Sequence, residues 1–142
     1  MNVTEREKRH QRNLERINAV QLVIGRGDRA HVDHEGTLLE RARLMVEELR
    51  SHEATEQGLA AFDRLLRLVE EGRSRQARWV AEFITAVWDD KPVRLSMLRG
   101  MPATIGDDVI AVLDGLRYAR LDLAEHVAGG ARRVVKVLEK CE

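Results

Sequence analysis

The sequence has a single cysteine, Cys141, so no disulfide can form within the chain. It has two prolines, Pro92 and Pro102, and neither interrupts the first 91 residues. Aromatic residues make up only 4%, which disfavours a sheet-rich fold. No apolar run approaches the roughly 18 residues that suggest a membrane-spanning helix. The opening residues lack the charged, apolar, small-residue order of a secretory leader. Nor is there an excess of one charge: 24 basic residues balance 24 acidic ones. A strongly basic nucleic-acid reader is therefore not indicated. These absences lead us to expect a soluble, cytoplasmic protein with no membrane partner.

What is present favours helix. The 142 residues are 44% apolar and 34% charged, too apolar for a disordered chain. A chain of this length buries roughly 68–70% of its unfolded surface, enough for a core without metals or disulfides. Leu, Ala, Glu and Arg dominate, and these lose little rotamer freedom in a helix. Of the 24 basic residues, 20 are Arg, the cation suited to bidentate contacts.

Periodicity divides the chain into helices. His10, Leu14, Ile17, Val20 and Ile24 fall on one face of a first helix over 4–24. A rival reading makes Val20–Ile24 and Ala30–His34 a hairpin around Gly25-Arg26-Gly27-Asp28. Thr37 and Glu40 read as a capping box for a helix to Arg50, with Leu38, Leu39, Ala42, Met45, Val46 and Leu49 inward. Thr55 then caps a helix with Leu59, Phe62, Leu66 and Val69 inward, antiparallel to the one before. Ser74 caps a fourth, running to Trp88. A short turn occupies 93–103, and Thr104 caps a helix with Ile105, Val109, Leu113 and Leu116 on one face. Asp122 and Glu125 suggest another cap, and Ala131–Lys140 is the last helix, with Val134, Val135 and Leu138 inward. The expected fold is an all-α, six- or seven-helix single-domain bundle. Residues 1–35 would form an N-terminal helix or arm with its connector, and 36–142 the helical core.

Catalytic and cofactor signatures are weak. His31-Val32-Asp33-His34-Glu35 gathers four ligand types, but no second ligand pair complements it, so no metal or cofactor is expected. Gly25 and Gly27 lack the third glycine of a dinucleotide loop, and the Arg26-Gly27-Asp28 tripeptide alone means little. Cys141 has no histidine near it in sequence. Asp89-Asp90 ends a helix and Asp107-Asp108 begins one, where acids suit the helix dipole. No catalytic constellation emerges, and the reading is that the chain is not an enzyme.

The strongest feature is a cluster of arginines. Arg73, Arg75 and Arg78 fall at the start of the fourth helix, with no acid from 72 to 81. Cations there oppose the helix dipole at a cost of roughly 0.3–1 kcal/mol each. Glu70 and Glu71 could neutralise them, or a partner could. Trp79 lies four residues after Arg75, so an Arg–Trp stack could anchor an interface. Arg73, Arg75, Arg78 and Trp79 are thus the candidate partner-binding residues. Elsewhere Arg6, Lys8, Arg9, Arg12 and Arg16 share the first sixteen residues with Glu5, Glu7 and Glu15, leaving a small positive excess.

The run Gln76-Ala77-Arg78-Trp79-Val80-Ala81-Glu82-Phe83-Ile84 through Trp88 resembles a block found in a family of short, uncharacterised bacterial proteins. The family occurs on integrative or conjugative elements and plasmids. Gln76, Arg78, Val80, Ala81, Phe83 and Trp88 fit the block. Trp79 stands where a second Arg is usual, and Val87 replaces the first Trp of a Trp-Trp pair. Ile105-Gly106-Asp107-Asp108-Val109 is similar to the family's second helix start. The resemblance covers about residues 58–120. It implies a helical domain of mobile-element origin and lends no catalytic residue.

The function expected is a non-catalytic protein-interaction module, an adaptor or inhibitor of a host protein. It could also self-associate as a homo-oligomer, through the first helix or the Trp79 edge. The alternative is a nucleic-acid-associated accessory factor using Arg73, Arg75 and Arg78.

Overall fold

The computed structural model describes residues 1–141. It is 74% helical. Among the described residues the α-helices are α1 (Val3–Asn18), α2 (His34–Glu71), α3 (Ala77–Asp89), α4 (Met97–Gly100), α5 (Ala103–Tyr118), α6 (Leu123–His126) and α7 (Gly130–Lys140). Two short strands, β1 (Val23–Ile24) and β2 (His31–Val32), pair antiparallel. The all-α expectation therefore holds, with seven helices. None of them is long and apolar enough to cross a membrane. The chain divides into two compact units, Met1–His52 and Glu53–Glu142, and α2 contributes to both.

In the first unit, α1 opens with a capping box. The Asn2 side chain accepts from the Glu5 amide at 2.8 Å, and the Glu5 carboxylate accepts from the Asn2 amide. The helix stops at Asn18, earlier than its apolar periodicity suggests. Beyond it the chain adopts the rival hairpin, with Val23 opposite Val32 and Ile24 opposite His31. Gly25 turns the chain at φ 89°, where a side chain would strike the Arg29 carbonyl. Asp33, not Thr37, opens α2: its carboxylate accepts from the Gly36 amide at 3.0 Å, and its carbonyl from the Thr37 amide. Thr37 is buried inside the helix, and its hydroxyl accepts from the Leu22 amide at 3.0 Å. Asp33→Ala should lower stability by about 1 kcal/mol in chemical denaturation, the usual value of an N-cap.

The expected break near residue 51 does not occur. Between His34 and Glu71 there is no proline, and Ser51 and Thr55 cost a helix interior only tenths of a kcal/mol. Thr55 is a cap-forming residue type, which is why the sequence reads as two helices there.

The second unit holds the main core. Phe62, Leu65, Leu66 and Val69 of α2 meet Val80, Phe83 and Ile84 of α3, Val109 and Val112 of α5, Leu123 and Val127 around α6, and Val134 and Val137 of α7. Gly58 and Gly115 explain how α2 and α5 come so close: a Cβ on Gly58 would lie 3.1 Å from the Gly115 Cα. That contact turns Val112 and Gly115 inward and leaves Leu113 and Leu116 41% and 47% exposed, against the expected face. In α7, likewise, Val137 is buried in place of Val135. The cap of α5 falls at Pro102 rather than Thr104. Asp122 caps α6 as its position suggests, accepting from the Ala124 amide.

Polar contacts fasten this core. The Arg133 guanidinium reaches Asp63 and Glu70, each at 2.6 Å, and the Ala128 carbonyl at 2.8 Å. Lys140 donates to the Glu70 carbonyl at 2.7 Å. Together they tie α7 to the second half of α2.

Candidate partner-binding site

Helix α2 ends at Glu71, and Gly72 takes the left-handed conformation, φ 62°, that stops it. Residues 73–76 lead into α3. Ser74 does not cap α3. Its hydroxyl accepts from the Gln76 amide at 3.0 Å and its carbonyl from the Ala77 amide, forming a turn, and Gln76 is the cap residue. The Gln76 Oε1 atom is buried and accepts no hydrogen bond from any described residue. Val80 and Ile84 anchor the far side of α3 in the core.

This geometry places Arg73, Arg75 and Arg78 on the surface, all three exposed. None forms an ion pair with a described residue. Arg99 and Arg132 of the same unit are likewise exposed and without an ion pair among the described residues, but four others behave differently. Arg64 makes a bidentate pair with Asp108, Arg67 pairs with Asp63, Arg94 with Glu82, and Arg133 with Asp63 and Glu70. Beside Asp108 and Glu82, the Arg64 and Arg94 guanidiniums are held even more firmly protonated than usual. Glu70, one acid expected to neutralise the cluster, is occupied by Arg133, which lowers its carboxyl below the ordinary range. The first turn of α3 contains no acid.

The three arginines do not share one pocket. Arg73 lines a depression of about 340 Å³ with Arg64, Arg67, Leu68, Glu71 and Ser74. Arg78 lines a groove of about 780 Å³ with Val69, Glu82, Thr85, Asp89, Leu138 and Lys140 among others. The segment 73–78 therefore forms a basic ridge with a hollow beside Arg73 and another beside Arg78. Trp79 is half-buried, and its ring sits against Gly100 of α4, where any Cβ would lie 2.8 Å from Cζ3. The anticipated stack of Arg75 on Trp79 is not formed. Trp79 serves α3 by packing, and its indole is only partly available.

The other candidates have structural roles. Asp33 is engaged in capping, and His31 Nδ1 lies 3.0 Å from the Arg29 carbonyl. Among the described residues no group of three or more His, Cys, Asp or Glu side chains is arranged to hold a metal ion. Asp108 is held by Arg64. Cys141 is exposed at the rim of the larger groove.

One cluster is not evident from the local sequence pattern. His10 is buried, with Nδ1 3.0 Å from the buried Glu48 carboxylate, which also accepts from Asn13. The His10 ring stacks on His52 at 3.8 Å, and His52 Nε2 lies 3.3 Å from Glu7. The hint is the place of His10 on the apolar stripe of α1. An expected helix end at Arg50 separates Glu48 from His52 and so hides their shared face.

The DUF7673 family, a family of unknown function, matches residues 59–142. The chain belongs to that family. The matched stretch contains the core, the arginine ridge and Trp79. Among curated proteins and among solved structures, nothing matches the chain.

Proposed function

We propose that this chain is a non-catalytic protein-interaction module that docks an acidic face of a partner protein on the ridge Arg73, Arg75 and Arg78. One observation carries the reading: these three exposed guanidiniums form no ion pair with a described residue and, unlike Arg99 and Arg132, which are also unpaired, they fall within six residues, while Arg64, Arg67, Arg94 and Arg133 are all paired. Arg75, just before the cap, and Arg78, in the first turn, oppose the dipole of α3, and an acidic partner surface would relieve that cost. Glu71 in the hollow beside Arg73 adds registration, since an acidic group of the partner would be repelled there. The resemblance of residues 58–120 supports a bacterial, mobile-element origin, and an adaptor or inhibitor of a host protein in the cytoplasm is the role we propose for such a module. The same unpaired cations favour a second reading, an accessory factor on nucleic acid. The balanced charge of the chain weighs against it.

The test is affinity capture from a nuclease-treated host lysate, with the wild-type chain and the triple variant Arg73→Glu, Arg75→Glu, Arg78→Glu. All three side chains are exposed, so helicity by circular dichroism should be unchanged. A protein should be retained by the wild type and bound at least about tenfold more weakly by the variant, equivalent to about 1.4 kcal/mol. Retention unaffected by the reversal would overturn the assignment. Binding to duplex DNA should be no tighter than the roughly 10⁻⁴–10⁻⁶ M of non-specific association. Tighter binding with a steep salt slope would establish the nucleic-acid reading instead.

A further inference from the structure

The groove along α3 has an apolar floor and two charged ends. Val69, Ala77, Ala81 and Leu138 line the floor, and Val69 and Ala81 are buried. Arg78 stands near the start of α3. Lys140 joins it there, held by its bond to the Glu70 carbonyl, two residues before Gly72. Asp89, the last residue of α3, stands at the other end. Arg78 and Asp89 are both exposed, and neither forms an ion pair with a described residue, neighbouring Lys91 included. Glu82, between them, is already taken by Arg94 at 3.1 Å. Each end of α3 thus carries the charge that its dipole disfavours, with no acid in the first turn and no base in the last. From Arg78 to Asp89 the helix rises roughly 16 Å, the reach of about five extended residues.

We infer that this groove takes a short segment of the same protein that docks on the ridge, which rests on the docking reading above. The segment carries an acidic residue at Arg78 and Lys140, an apolar side chain over Ala81 and Leu138, and a basic residue at Asp89. Arg78 belongs to both surfaces, so one partner can run from the ridge into the groove. Charge complementarity selects this order. A wholly acidic segment would meet Asp89, and a wholly basic one would meet Arg78 and Lys140. An uncharged apolar segment would cover the floor but leave both charges opposed to the dipole. Only a segment with its two signs separated relieves both ends of α3.

Selection of a random short-peptide library on the immobilised full chain tests this. Enriched peptides should carry an acidic and a basic residue on opposite sides of an apolar one. Asp89 is exposed, so Asp89→Arg should keep its helicity by circular dichroism. It should weaken the synthesised consensus peptide about fivefold and abolish selection for the basic residue. The consensus peptide should also cross-link to a benzophenone carried on Cys141, the chain's single thiol, at the groove rim. A wholly acidic consensus that Asp89→Arg leaves unchanged overturns the groove segment and leaves the ridge reading standing. A consensus without acidic residues, no enrichment at all, or no cross-link from Cys141 overturns it as well. Failure of the ridge reading itself is read separately, by lysate capture with the triple variant.

Discussion

Phe62→Ala is expected to lower stability by about 3–5 kcal/mol, the usual cost of deleting a fully buried aromatic ring. Phe62 has no exposed surface and lies on α2 within a core to which α3, α5 and α7 contribute. Truncation forfeits the transfer energy of the ring and leaves a cavity that the surrounding helices can close only in part. Chemical denaturation followed by far-ultraviolet circular dichroism measures the effect, and Trp88, packed against this core, offers a second probe. A loss below about 1 kcal/mol would mean that the site collapses freely and is not the centre of the core.

The second large effect concerns Arg133. Its side chain is 17% exposed and donates to Asp63, Glu70 and the Ala128 carbonyl. Arg133→Met keeps much of the stem packing and removes every one of those bonds. The expected loss is about 2 kcal/mol, within the range for hydrogen bonds to charged groups. Glu70 is 40% exposed, so solvent screens its share, and the better-buried Asp63 contributes more. The sign of the pH dependence comes from Glu70. Its hydrogen bond with Arg133 lowers the native carboxyl below the ordinary value of 4.5. The stability this supplies is fully present above that value and is lost as pH falls through the lower native one. Denaturation midpoints across the acid range should therefore fall less steeply in Arg133→Met than in the wild type. Parallel curves would contradict the assignment.

Much of the second unit was legible in the sequence because one signal suffices there. Phe62, Leu66 and Val69, then Val80 and Ile84, sit on stripes that are in fact buried. The first unit was harder. Its apolar stripe at Leu38, Leu39, Val46 and Leu49 is real, but periodicity reveals a face without saying what covers it. The inward side is instead a polar network whose members, His10 and Glu48, are 38 residues apart. Thr55 resembles a cap because its side chain can compete for backbone bonds, yet a continuous helix satisfies that backbone better. The arginine ridge was visible as an acid-free stretch. That Glu70 is committed to Arg133, and Trp79 to Gly100, depends on contacts between distant segments that no local pattern records.

The docking ridge is best interrogated by hydrogen exchange of the chain, alone and saturated with its captured protein partner. Exchange across residues 72–79 should slow in the complex, and this protection should vanish when Arg73, Arg75 and Arg78 are all changed to Glu. Protection confined to other segments, or exchange at 72–79 that is the same with and without partner, would contradict docking on the ridge.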